Sequence, residues 1–146
     1  MVKLSKTQSG ISGEYLVAGK LTLYGFQSAI TLRNNEEADI LASNSDTGKL
    51  VKIQVKTSQN KRRWPMSKKH EVPIANLFFV FVNIVSHDNQ EYFIISSSVL
   101  AKLLKDGYDR WLVTPNKKGE NHNPTNMREF NDLKGLYLNR WDLLNE

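Results

Sequence analysis

The chain has 146 residues, 40% hydrophobic and 24% charged, with no cysteine. That composition fits a single domain over residues 1–146 with its own core, and it excludes disulfide frameworks, thiolate metal sites and cysteine nucleophiles. The formal net charge is +5, yet the six cations Lys56, Lys61, Arg62, Arg63, Lys68 and Lys69 fall in one acid-free stretch, without which the charge would be −1.

Residues 1–19 hold no apolar run long enough for a signal-peptide core. The longest apolar run, from Leu77 to Val85 across Asn83, is too short to span a bilayer, so a cytoplasmic location is expected. The local basicity has two readings, a polyanion-binding surface or a solvated lysine-rich loop.

From Ser9 to Tyr24, Ile11, Tyr15, Ala18 and Leu21 recur at steps of three and four and are followed by Gly25, which predicts a helix with a glycine stop. Phe26 to Leu32 and Ala38 to Ala42 read as two strands joined by a turn at Asn34-Asn35. After a second turn at Asn44–Gly48, Leu50, Val51, Ile53 and Val55 mark a third strand ending at Thr57-Ser58. A basic loop carrying Trp64-Pro65 follows, then two strands, Leu77 to Val85 and Glu91 to Ile95. Ser96 to Ser98 suit a helix N-cap, with Val99, Leu100, Leu103 and Leu104 on an apolar face before Gly107. Thr114 to Asn126 reads as a long loop, and Met127, Phe130, Leu133, Tyr137, Trp141 and Leu144 as a helical tail interrupted near Gly135. The expected architecture is an α/β sandwich: a central mixed sheet of about five strands flanked by helices, with a core over about residues 10–105 and a C-terminal extension over about 106–146.

Four polar residues stand out against these elements. Gln54 and Lys56 alternate along the third strand and share one face, while Ile53, Val55 and Thr57 take the other. Asp39 lies on the preceding strand. A carboxamide and an amine opposite an aspartate suit a site better than a core. Glu14 is expected to project from the helix face that packs on the sheet, where a carboxylate needs a cation or a metal-bound water; the alternative is a helix-border glutamate reaching solvent.

Phosphodiester hydrolysis needs a hard cation held by oxygen ligands, an activated water and positive charge at the phosphate. Asp39 and the Gln54 side-chain oxygen offer ligands, Glu14 a contact to a metal-bound water, and Lys56 a cation that orients or helps deprotonate the attacking water. GEYLVAG on the helix, ADI on one strand and IQVKTS on the next resemble the E…D…(D/E/Q)xK signature of PD-(D/E)xK nucleases, whose core is shared by restriction endonucleases and Holliday-junction resolvases. The resemblance covers about residues 10–105 in order of elements. It implies a restriction-endonuclease-like sandwich and a Mg²⁺- or Mn²⁺-dependent endonuclease acting on DNA, with Glu14, Asp39, Gln54 and Lys56 as its catalytic residues. Gln54 departs from the acidic residue more usual at its position.

Lys61, Arg62, Arg63, Lys68 and Lys69 are the expected phosphate contacts. Trp64 among them either stacks on a base or pins its loop to the core. His70, His87 and His122 lack metal-ligand spacing and read as surface histidines, His70 having the best claim to more because it flanks the basic loop. Two rival readings remain, a non-catalytic nucleic-acid-binding module on a nuclease fold and a structural domain offering its basic patch to an acidic partner. A homodimer is an expectation only from the need to cut two strands.

Overall fold

The computed structural model describes residues 2–32 and 38–146; the Asn34-Asn35 turn lies outside them. Helix α1, Lys6–Leu23, starts three residues earlier than its apolar pattern, because Ser5 and Gln8 form a capping box that satisfies the first turn. Its buried stripe is Ser9, Gly13, Val17 and Leu21, whereas Tyr15 is 68% exposed. The helix is therefore rotated from the face expected, and the reason is Gly13. A Cβ there would sit 2.0 Å from the Thr57 hydroxyl oxygen, so glycine sets the closest approach of helix and sheet.

Strands β1 (Phe26–Ile30), β2 (Ile40–Asn44), β3 (Leu50–Gln59), β5 (Leu77–Ser86) and β6 (Asn89–Ser96) form a mixed sheet in the order β1-β2-β3-β5-β6. Only β3 and β5 run parallel. The expected sandwich of about five strands with helices over it is thus the one observed. Between β3 and β5 the chain makes β4 (Arg63–Ser67) and a 3-10 helix, Lys68–Glu71. The basic stretch is accordingly half strand, not a loop.

Alternation along the strands feeds two cores. Val51, Ile53, Val55, Val80, Val82 and Ile94 face α1 and a C-terminal 3-10 helix, Trp141–Asn145. Leu77, Phe79, Phe81, Phe93 and Ile95 face α2 (Ser97–Val113) and a separate ribbon in which β4 pairs antiparallel with β7, Met127–Asn131.

Two expectations fail here for local reasons. Helix α2 runs through Gly107, with Lys102–Asp106 and Lys105–Asp109 pairs spaced to support the added turns. The C-terminal segment is not a helix. Asp132 accepts the N–H groups of Leu136 and Tyr137, each at 2.8 Å, and folds the chain into a turn directly after β7. Among the described residues no helix is long and apolar enough to cross a membrane.

Candidate active site

The centre of the site is a fork between β2 and β3. Their ladder ends at the Ile40–Ile53 pair, after which the Asp39 N–H reaches the Ile53 carbonyl at 2.8 Å. One step further the Asp39 side chain takes the place of a strand: its Oδ2 accepts the Val55 N–H at 2.8 Å. Thr31 fixes the other side of Asp39, donating its N–H to the Asp39 carbonyl at 2.9 Å and its hydroxyl to that of Ala38 at 2.7 Å.

The register places Asp39 across from Gln54, and Gln54 and Lys56 lie on the same face of β3, toward α2. Asp39, Gln54 and Lys56 are all half-buried. Burial raises the Asp39 carboxyl above its ordinary range, against the Val55 hydrogen bond and the charge of Lys56, which lower it. The Lys56 amine is pushed down, first by burial and further by Lys69, while Asp39 pulls the other way. The structure therefore brings three of the four expected site residues to one place.

Glu14 follows Gly13, which abuts Thr57 and Val55 from the opposite face of β3. It is half-buried and not a freely solvated glutamate.

A cavity of about 380 Å³ opens on the Gln54–Lys56 face. Lys69 and His70 complete its polar side, and Leu77, Phe79 and Ser97 form its floor. Strand β4 runs back over the sheet from the turn at Asn60, where φ is +53°, so the chain returns Lys69 and His70 beside Lys56. His70 is half-buried in this wall, contrary to its reading as a surface histidine; no local pattern announces it, because its place depends on the β4 return. A second hollow, of about 410 Å³, is lined by Glu71, Lys105, Asp109 and Arg128 among others. Its carboxylates are committed, Glu71 to Arg128 at 2.9 Å and Asp109 to Lys105 at 3.1 Å.

The basic residues divide. Arg62 makes a two-pronged pair with Glu91 and also donates to the Leu133 carbonyl at 3.2 Å. Arg63 lies 3.3 Å from Glu129. Lys61, Lys68 and Lys69 are exposed and belong to none of the described ion pairs. Trp64 is 1% exposed, packs against Phe81, Phe93 and Phe130, and donates its indole N–H to the Val82 carbonyl at 3.2 Å. It pins the ribbon to the core, and stacking on a base is corrected to that role.

The donor set suits a magnesium-like ion. Asp39 Oδ1 and the Gln54 amide oxygen have no hydrogen-bond partner among the described residues, and two oxygen ligands are enough for an ion that keeps several waters. No group of three or more His, Asp or Glu side chains able to cage a metal occurs among the described residues.

The fold and fork define an α/β sandwich with an Asp, Gln and Lys cluster at a strand split. Against known proteins, no protein-family model matches the chain, and no curated protein matches it. Solved structures with a similar fold include the two that follow. The Holliday junction resolvase Hjc of the archaeal hyperthermophile Archaeoglobus fulgidus is 12% identical, over 88% of this chain and 86% of that one, with a TM-score of 0.49. A bacterial homing endonuclease is 14% identical, over 68% of this chain and 74% of that one, also with a TM-score of 0.49.

Proposed function

We propose that this protein is a Mg²⁺- or Mn²⁺-dependent endonuclease that hydrolyses phosphodiester bonds in DNA. The observation that carries the reading is the fork: the half-buried Asp39 carboxylate stands across from Gln54 of β3 and within electrostatic reach of Lys56, and Gln54, Lys56 and Lys69 line a cavity on that strand.

Asp39 and Gln54 would hold the metal, with Glu14 contacting it through water. A bound divalent ion supplies Lewis-acid polarisation of the phosphate and makes water more acidic. Val55 fixes the Asp39 carboxylate through its backbone N–H, so the ligand is oriented before substrate arrives. Lys56, partly desolvated, orients the attacking water, whose proton passes to solvent, and its positive charge stands beside the phosphate as negative charge builds there. The water oxygen bonds to phosphorus, the P–O bond opposite breaks, and the departing oxygen takes a proton from solvent. Lys61, Lys68 and Lys69 grip the flanking backbone.

The test is supercoiled plasmid incubated with Mg²⁺, Mn²⁺ or chelator. Nicking that needs metal and vanishes in Asp39→Asn and Lys56→Met supports the reading; nicking unchanged in Asp39→Asn points to a contaminant. A second reading, a nucleic-acid-binding module without catalysis, is favoured by Gln54, whose neutral oxygen weakens the metal site. Binding without cleavage of any DNA or RNA selects it.

A further inference from the structure

We propose that His70 is a substrate-contacting residue of this site: a neutral Nε2–H donor to the phosphate held between Lys56 and Lys69. The inference rests on reading the cavity as a phosphodiester site.

The geometry carries it. The Ser67 N–H can only donate, and it points at His70 Nδ1 at 3.0 Å. Nδ1 is therefore the acceptor, and in the neutral ring the proton sits on Nε2. The Ser67 hydroxyl lies 3.3 Å from the same nitrogen. The ring stands edge-on to Phe79, its centroid 5.6 Å away, which limits its freedom to turn. Nε2 has no hydrogen-bond partner among the described residues and is not buried without one, so it is open to solvent on a residue that lines the cavity with Gln54, Lys56 and Lys69.

Charge explains why a neutral donor is useful at this spot. Burial, then Lys56 and Lys69, hold the His70 ring below its ordinary pKa, outweighing the Ser67 carbonyl at 3.2 Å, which favours the charged ring. A third full cation beside Lys56 would lower the amine's pKa further, whereas an N–H donor contacts a phosphate oxygen without that cost.

Substitutions separate this role from the cap. His70→Asn keeps a short side-chain oxygen to accept the Ser67 N–H but removes the donor at the Nε2 position. His70→Ala removes both. Wild type, both variants and Lys56→Met are compared by thermal unfolding, by fluorescence anisotropy with a labelled DNA duplex in Ca²⁺, and by plasmid nicking in Mg²⁺. His70→Asn is expected to unfold within a degree or two of wild type yet bind or cleave about 10- to 100-fold less well, the loss of one hydrogen bond to a charged group. Long-range ¹H–¹⁵N spectra of the free protein at neutral pH are expected to show the Nε2–H tautomer. Unchanged binding and cleavage in His70→Asn, with Lys56→Met impaired, overturns the role of His70 and leaves the site standing. An Nδ1–H tautomer overturns it as well. If Lys56→Met is also indistinguishable from wild type, or wild type binds no nucleic acid, the phosphodiester reading fails and the inference with it.

Discussion

The carboxylate of Asp39 completes the hydrogen-bond ladder of β3, accepting the Val55 N–H at the point where β2 leaves the sheet. One residue therefore closes a backbone gap with Oδ2 and keeps Oδ1 without a hydrogen-bond partner among the described residues. Structure and chemistry are tied together at that position, and isosteric replacement separates them.

Asp39→Asn keeps an acceptor for Val55 and removes the negative charge, while Asp39→Ala leaves a half-buried N–H unpaired. Denaturant unfolding in chelator is expected to show Asp39→Asn close to wild type and Asp39→Ala destabilised by about 1–3 kcal/mol. Both are expected to lose metal-dependent cleavage while still binding DNA. Equal destabilisation of the two would mean that the Val55 bond is not formed in solution.

Lys56 makes a signed prediction about pH. Its folded pKa is below the unfolded value of 10.5, so between the two the unfolded chain binds the more protons and stability rises with pH through that window. Asp39 does the reverse at the acid end: its folded pKa lies above 3.8, and stability falls as pH rises from the unfolded value through the folded one. Lys56→Met should remove the alkaline rise and deepen the acid limb of the metal-free protein, because the charge that lowers the Asp39 pKa is gone. Urea midpoints across the pH range read both limbs, and an alkaline limb unchanged in Lys56→Met would show that the amine is not desolvated.

How much of this was legible in sequence depends on the range of the contact. The apolar run of β5 and the alternation of β3 fix their own elements, and with them the shared face of Gln54 and Lys56. Asp39 was legible because it interrupts an apolar strand. The β4–β7 ribbon was not: Arg63–Ser67 contains Pro65, and Met127, Phe130 and Leu133 imitate a helical period although a turn at Asp132 separates Leu133 from the strand. Trp64 and His70 take their places only once that ribbon folds back over the sheet. Nothing within a few residues of either records that event.

The seat of α1 is testable at Gly13. Ala at this position gains helix propensity of up to about 1 kcal/mol, but its Cβ would meet the Thr57 hydroxyl, which already lies buried without a partner. Gly13→Ala is expected to cost about 1–3 kcal/mol. Adding Thr57→Ala removes the clashing oxygen and should restore most of it, since the remaining contacts of 3.3 Å to the Thr57 Cβ and 3.4 Å to Val55 are tight but passable. If Glu14 serves the site, cleavage should fall and recover along with stability. Additive effects in the double-mutant cycle would deny the contact.

Gln54→Glu tests the ligand directly. A second carboxylate beside Asp39 is expected to tighten Mg²⁺ or Mn²⁺ binding, read by calorimetry, provided that it does not pair with Lys56 instead. The two outcomes separate by the pH limb already described: pairing would raise the Lys56 pKa and weaken the alkaline rise in chelator, whereas metal ligation alone would appear only when the ion is added.

The basic stretch yields the last prediction, because the structure splits residues that composition treats alike. Lys61, Lys68 and Lys69 are exposed without an ion-pair partner among the described residues, while Arg62 is committed to Glu91 and holds that carboxyl below its ordinary pKa by its hydrogen bond. Each phosphate neutralised by a lysine contributes about 0.9 to the slope of log K against log salt. Replacing Lys68 and Lys69 by glutamine should therefore flatten that slope by up to about 2, weaken binding alike across DNA sequences, and leave thermal stability within error. Arg62→Gln should do the opposite. It strands Glu91 next to Asn83 and gives up the contact to the Leu133 carbonyl, so it should lower stability and change the salt slope little. Anisotropy titrations from low to moderate salt, run beside thermal melts of the same four proteins including Lys61→Gln, decide the matter. A slope that falls as much in Arg62→Gln as in Lys61→Gln would place the guanidinium on the nucleic acid and its pair with Glu91 in doubt.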